Sequence, residues 1–241
     1  MIPFFLLRMI MTKWQAIVFD LDDTLYPESA YVLSGFRAVS QWAEKNLDIP
    51  FKDGFSELKE LFEKGVRGDT FNQWLKRHGI DRNTVVSEMV MIYRNHNPEI
   101  EPFPCVPNLL SSLQKKYKLG LISDGYLSVQ QQKLKALGLG KYFDSVIFPD
   151  YWGREYWKPN TRPFNTAIQE LKVLPFHAIY VGDNPDKDFL GARKIGMYTI
   201  QIRKTAGEYS KLPPLSYRHA PDLVINSFDH FESRLADLEK L

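Results

Sequence analysis

The apolar run Ala16-Ile17-Val18-Phe19 ends in Asp20-Leu21-Asp22-Asp23-Thr24-Leu25. Four consecutive apolar residues fit a buried parallel strand better than the alternating strand of a half-exposed sheet. Parallel strands are covered by helices on their faces, which confines the chain to an α/β layer architecture. The carboxyl ends of such strands open on the crevice where these sheets bind ligands, and two carboxylates spaced one residue apart stand there. Such a pair can hold a hard cation, and one member can attack phosphorus while the other handles the proton. Taken alone, the same residues also suit a solvated acidic turn.

Three further segments follow in order. Leu119-Gly120-Leu121-Ile122 is a second apolar strand, ending in Ser123-Asp124-Gly125. A serine hydroxyl with adjacent backbone N–H groups can bind a phosphate oxygen, and Ser123 or Asp124 could equally cap the next helix. Lys158-Pro159 precedes Phe164, Ile168 and Leu171, the apolar face of a helix. A cation there would offset crowded negative charge, whereas a lone Lys-Pro is an ordinary loop signal. Finally, Ile179-Tyr180-Val181-Gly182 runs into Asp183-Asn184-Pro185-Asp186-Lys187-Asp188. That spacing lets Asp183 and Asp188 converge on one ion, while a cap on the next helix by Asp186 or Asn184 accounts for one acid and not three.

Between the first two motifs, from Glu28 to Pro102, strand alternation is absent. Apolar residues recur at helical spacing in Tyr31-Val32-Phe36-Val39-Trp42-Ala43, Phe55-Leu58-Leu61-Phe62, Phe71-Trp74-Leu75 and Val85-Met89-Ile92-Tyr93. The proline-rich stretch from Pro98 to Pro104 reads as a stiff linker and hinge. Beyond it strands and helices alternate. We expect helices at 107–117, 128–137, 162–171 and 187–195, strands at 119–123, 145–148, 178–182, 198–202 and 223–225, and a last helix from Phe228 with Ser227 as N-cap.

DxDxT, Ser-Asp-Gly, Lys-Pro-x4-Phe and Gly-Asp-x4-Asp together resemble the four motifs of the haloacid dehalogenase superfamily, in its order, from Lys13 to about Arg203. The resemblance implies an α/β fold: a Rossmann-like doubly wound parallel sheet (12–27 and 103–241) with a smaller helical cap domain (28–102) inserted after the first strand. In the family such a cap closes over the substrate and excludes all but the attacking water. The resemblance further implies a phosphatase that uses Mg²⁺ and an aspartyl-phosphate. Asp20 matches the nucleophile, and Asp22 the acid/base that protonates the leaving oxygen and then activates water. Thr24, Ser123, Asp124, Gly125 and Lys158 match the surroundings of the substrate phosphate. Asp20, Asp183 and Asp188 match metal ligands, with Asp22 joining through its backbone carbonyl; Asp188 could instead orient water at the metal. Asp124 stands where many relatives have Asn.

Asp22 argues for phosphate chemistry over haloalkanoate dehalogenation, which has no leaving alkoxide to protonate. Thr24 stands where sugar-phosphate mutases of the family usually carry Gly. The substrate is expected to be a small phosphomonoester: a sugar phosphate, a sugar-acid phosphate or a phosphoglycolate-like metabolite. A nucleoside monophosphate, a phosphotransferase or mutase reaction, and a non-catalytic scaffold are the alternatives. Tyr151, Trp152, Arg154, Tyr156 and Trp157 could stack on that substrate or pack against the core or a second copy. Arg37, Arg67, Arg77 and His78 of the insertion could reach it or be solvated.

The remaining features set bounds. With 241 residues and 44% hydrophobic content the chain can bury a core, and a formal charge of +2 suggests no nucleic-acid partner. The single cysteine, Cys105, is expected to pack at the junction between core and insertion and points to a reducing, cytoplasmic setting. No uncharged apolar stretch approaches the roughly 18 residues of a membrane span. Residues 1–11 read as an apolar extension outside the functional unit. A monomer or homodimer is expected.

Overall fold

The computed structural model describes residues 13–80, 83–204 and 207–240; the extension 1–11 lies outside them. Strand β1 (Ala16–Phe19) is buried throughout. Four helices follow, α1 (Glu28–Asn46), α2 (Phe51–Glu63), α3 (Thr70–Arg77) and α4 (Asn83–Asn95). The chain then runs through α5 (Val106–Leu113), β2 (Lys118–Ile122), α6 (Leu127–Ala136), β3 (Ser145–Ile147) and α7 (Arg162–Leu171). It ends with β4 (Ala178–Gly182), α8 (Asp188–Ile195), β5 (Tyr198–Ile202), β6 (Leu223–Ile225) and α9 (Phe231–Leu238). The chain divides into two compact units, one holding residues up to Pro27 together with Pro102–Leu241, the other Glu28–Glu101.

In the first unit six strands form one parallel sheet in the order β3-β2-β1-β4-β5-β6. The chain winds outward from β1 to β3, then returns to lay β4 against the other side of β1. The order therefore reverses between β1 and β4, and the crevice beyond their carboxyl ends is the expected ligand site. Register brings the motif ends level: Phe19 pairs with Leu121 on one side and Val181 on the other. The Asp20 amide continues the ladder, donating to the Val181 carbonyl at 2.8 Å.

Both sheet faces are covered, which is why the strands read as unbroken apolar runs. Val18, Ala178 and Tyr180 pack with Phe164, Ile168, Leu171, Phe189 and Ala192 of α7 and α8. On the other face Phe19 meets Phe228 and Phe231, with ring centroids 6.3 and 6.5 Å apart.

The chain departs from expectation at three places. Helix α9 begins at Phe231 behind a left-handed His230, and Ser227 does not cap it. The Ser227 hydroxyl instead closes a local turn, accepting from the Asp229 amide at 3.1 Å and donating to its carboxylate. Helix α5 stops at Leu113, where the Lys115 and Lys116 amides tighten the turn by bonding three residues back, to the Ser112 and Leu113 carbonyls. Cys105 is exposed: it occupies the N-cap position of α5, whose buried face is Val106, Leu109, Leu110 and Leu113.

The helical unit buries Phe36, Val39, Leu58, Leu61, Trp74 and Met89 in its own core. Several of its polar side chains are paired internally. Glu57 accepts from Trp74 Nε1 and faces His78 Nε2 at 2.7 and 2.6 Å. Arg77 faces Glu60 at 3.6 Å, and Arg37 faces Glu99 at 3.8 Å. Arg67 donates to the Phe62 carbonyl at 2.7 Å. His96 Nδ1 faces the Tyr93 carbonyl at 2.7 Å, so it carries the hydrogen, and the Ser34 hydroxyl donates to Nε2 at 3.0 Å while accepting the Glu99 amide.

Burial holds the pKa of His96 below the ordinary imidazole value of 6.5, despite the Tyr93 carbonyl and Glu99. The folded state therefore favours the neutral ring. Its contribution to stability is whole above pH 6.5 and is lost as pH falls through the lower folded-state pKa. Amide protection factors in α1 and α4, corrected for the intrinsic pH dependence of exchange, should fall on acidification through that window, and His96→Gln should flatten the dependence. An unchanged profile in the variant would remove His96 as its cause.

Candidate active site

Asp20 leaves β1 directly into the crevice and is 1% exposed. Its Oδ1 accepts from Lys158 Nζ at 2.5 Å, while Oδ2 is buried without a hydrogen-bond partner. Lys158, from the loop before α7, also reaches Asp188 Oδ1 at 2.7 Å and the Tyr180 hydroxyl at 2.9 Å. The Tyr180 hydroxyl donates in turn to Asp188 at 3.1 Å. The third strand end supplies Asp183, and carboxylate oxygens of Asp20, Asp183 and Asp188 all lie within 4.8 Å of one another.

Local backbone makes this convergence possible. Asp188 begins α8 and folds back, so that its Oδ2 accepts the Asn184 amide at 2.9 Å. Gly182 is required for that approach, because a Cβ there would stand 2.5 Å from Asp188 Oδ2. The loop residues Asn184 and Asp186 do not cap α8: the Asn184 side chain accepts the Asp186 amide within the turn, and the N-cap position falls to Lys187.

Crowding sets the charge states. Burial, outweighing the help of Lys158, pushes Asp20 up to about 6, with Asp188 adding repulsion. Burial and the neighbouring Asp188 and Asp20 raise Asp183 well above the carboxylate range. Asp188 is lowered, since Lys158 and Lys187 overcome its burial. Lys158 is likewise held charged against burial by Asp188, Asp20 and Asp124. The Asp183 carboxylate accepts no hydrogen bond among the described residues, and with the orphaned Asp20 Oδ2 it forms a buried, oxygen-only, net anionic cradle. That donor set suits a hard divalent cation.

Asp22 turns away from this cluster. Its Oδ1 takes two donors, Lys133 Nζ at 2.6 Å and the Tyr26 hydroxyl. Burial works against its ionised form, but the Lys133 charge and these hydrogen bonds hold its pKa below the usual value.

On the other side of β1, the Ser123 hydroxyl donates to Gln130 Oε1 at 3.0 Å. Asp124 accepts the Lys158 amide at 3.2 Å through Oδ1 and leaves Oδ2 buried and unpartnered. Neither residue caps α6, whose Leu127 amide is taken by Asp150 at 2.9 Å. Gly125 turns at φ 127°, and a Cβ there would run into the Gln130 side-chain amide. The Thr24 hydroxyl is buried and unpaired. The candidate site residues of the four motifs thus sit just beyond the ends of β1, β2 and β4, in the loop before α7 or, for Asp188, at the start of α8.

The aromatic cluster before Lys158 packs upon itself. Arg162 lies between Trp152 and Tyr156, 4.5 and 4.4 Å from their ring centroids. Arg154 lies over Tyr126 and Trp157 at 4.7 and 5.5 Å. Tyr151 stands largely in solvent, 76% exposed, and Arg154 is exposed as well.

Sequence reasoning missed Tyr26, Gln130, Lys133, Tyr180 and Lys204. Lys204 Nζ donates to the Asp23 and Thr24 carbonyls at 3.2 and 2.6 Å, and burial lowers its pKa to about 8. It thereby fastens the turn that follows Asp22. Tyr180 carried a usable signal, since a tyrosine inside an otherwise aliphatic buried strand must find a partner for its hydroxyl. Gln130 and Lys133 carried none, because such residues on a helix ordinarily face water.

A reversing parallel sheet whose strand ends gather a nucleophile-like carboxylate, a lysine and paired acids defines a phosphohydrolase-type site. The chain belongs to the haloacid dehalogenase-like hydrolase family, which it matches over residues 17–202. It is 33% identical to a glyceraldehyde 3-phosphate phosphatase of Methanopyrus kandleri over 220 residues, 88% of this chain and 93% of that protein. It is 27% identical to pyrophosphatase PpaX of Bacillus cereus, covering 95% and 99%. Among solved structures, the magnesium-bound HAD-hydrolase YfnB of Bacillus subtilis has the same fold, with a TM-score of 0.67 at 18% identity over 92% of this chain and 99% of that one. No described helix is long and apolar enough to cross a membrane.

Proposed function

We propose that this chain is a Mg²⁺-dependent phosphatase that hydrolyses a small phosphomonoester through an aspartyl-phosphate on Asp20. The observation that carries this reading is the division of labour between two carboxyls. Asp20 sits with Lys158 and the acid cluster, while Asp22, two residues on, is held apart with Oδ1 taken by donors and Oδ2 accepting no bond among the described residues. A metal would be held by Asp20, Asp183, Asp188 and the Asp22 main-chain carbonyl. When bound it supplies positive charge to the phosphoryl oxygens.

In the first half-reaction a carboxylate oxygen of Asp20 bonds to phosphorus, the ester P–O bond breaks, and the leaving oxygen takes a proton from Asp22. In the second, water bonds to phosphorus and gives its proton to Asp22, and the bond to Asp20 breaks to release inorganic phosphate. Lys158, Ser123, Thr24 and the Asp124–Gly125 turn surround the transferred group; positioning and charge dominate such a transfer. The similarity to glyceraldehyde 3-phosphate phosphatases supports a triose-phosphate-sized sugar phosphate as substrate, within the wider class of sugar, sugar-acid and phosphoglycolate-like monoesters.

The test is phosphate release from glyceraldehyde 3-phosphate, phosphoglycolate, larger sugar phosphates, nucleoside monophosphates and pyrophosphate. Release should require Mg²⁺, stop in EDTA, and fall by at least about 10³-fold in Asp20→Asn. Activity that survives Asp20→Asn would overturn the mechanism; preference for pyrophosphate or a nucleotide would overturn the substrate class.

A further inference from the structure

Helix α6 turns two polar side chains into the protein. Gln130 is 3% exposed and Lys133 is 2% exposed, one helical turn apart on one face. Gln130 accepts from the Ser123 hydroxyl, and Lys133 pairs with Asp22, 111 residues earlier in the chain. Burying a lysine in this manner is unfavourable compared with an apolar residue of similar volume, and Met or Leu would suit the face. Core packing alone therefore gives no reason for an ammonium here.

The geometry offers one. Both donors on Asp22, Lys133 Nζ and the fully buried Tyr26 hydroxyl, land on the same oxygen, Oδ1. Tyr26 is itself fixed by a backbone bridge to Asp22, and Lys133 Nζ stands 5.9 Å from its ring centre. Two donors on one oxygen fix the carboxyl plane and leave Oδ2 as the oxygen open to a proton. A displacement of about 1 Å in such a group costs on the order of 10²-fold in rate.

We infer that Lys133 is a positioning residue, which acts with Tyr26 to hold Asp22 by Oδ1 so that Oδ2 alone serves the leaving group and the attacking water. The inference rests on the phosphatase reading above. It separates Lys133 from Lys158: Lys158 serves the phosphate and the nucleophile, whereas Lys133 works only through Asp22.

The test uses the intact chain with Mg²⁺ and two substrates, p-nitrophenyl phosphate, whose leaving group needs no proton, and glyceraldehyde 3-phosphate, whose alkoxide does. In Lys133→Met, kcat for the alkyl ester should fall at least about tenfold more than the first-turnover rate for the aryl ester. KM for the alkyl ester should not rise, and p-nitrophenol should appear in a burst as phosphoenzyme accumulates, because the second half-reaction also needs Asp22. On an Asp22→Asn background Lys133→Met should cost nothing further. Tyr26→Phe, which leaves the charges intact, should show the same signature more weakly and carries the test if Lys133→Met does not fold. Equal losses on both substrates without a burst, a raised KM with kcat preserved, or a further loss on the Asp22→Asn background would each overturn the inference. If the unaltered chain forms no Asp20-dependent phosphoenzyme, the phosphatase reading itself fails and this one falls with it; normal turnover with unaltered variants sinks this one alone.

Discussion

Lys158→Met is expected to abolish turnover and, in the same stroke, to lower the melting temperature of the chain by about 6–20 °C. The ammonium is fully buried between Asp20 and Asp188, at 2.5 and 2.7 Å, and touches Tyr180 at 2.9 Å. Removing one partner of a buried ion pair strands the other, at a cost of about 3–5 kcal/mol. For a chain of this length each kcal/mol moves the midpoint by about 2–4 °C. Here two carboxylates are stranded, and they already repel each other. Calorimetry on the metal-free variant checks the stability, and phosphate release checks the activity. A variant that loses activity at unchanged stability would show that Lys158 is not the counter-ion of this cluster.

Asp183→Asn should do the opposite to stability while matching the loss of activity. Asp183 is 7% exposed, accepts no hydrogen bond among the described residues, and is pushed toward its neutral form by burial and by Asp188 and Asp20. An amide of the same shape is neutral at every pH and escapes the cost of either charging or protonating a buried carboxyl beside Asp188 and Asp20, so the metal-free variant should melt at least about 2–4 °C higher, ~1 kcal/mol at this length. The unaltered chain should gain from Mg²⁺, by about 2.7 kcal/mol at a hundredfold excess over Kd, and the variant should lose most of that gain. Melting curves with and without Mg²⁺ read both effects. A variant that is destabilised when metal-free, or that keeps the full Mg²⁺ response, would take Asp183 out of the metal set. Both substitutions test one premise, that the metal-free site buries more acid than base.

The pairing of these acids was legible before any coordinates, because each motif acid lies at or just beyond the end of a strand. An apolar run that is buried on both faces specifies a parallel sheet, and a parallel sheet delivers its C-terminal residues to one rim. Asp20, Ser123 and Asp183 therefore had to meet once β1, β2 and β4 were adjacent, as their register shows. The helical spacing of Phe36, Leu58, Trp74 and Met89 likewise announced a separate apolar core, because period is a local property. The misplaced cap at Ser227 has an equally local cause: a serine before a helix can close its own turn as readily as cap the helix, and spacing does not distinguish the two.

What could not be read is whatever depends on a partner far away in the chain. A lysine at position 133 has the look of a solvated helix residue until α6 is laid beside the turn carrying Asp22. The aromatic stretch before Lys158 could have faced a substrate, the core or a second copy, and only the folded chain brings Arg154 over Tyr126 and Arg162 against Trp152. Chain-local rules, strand burial and motif spacing, thus determine which acids gather at the rim, since backbone geometry carries them there. Which charges offset those acids, and how Asp22 is aimed, is decided by tertiary packing, because the desolvation that makes such contacts matter exists only once the chain has closed around them.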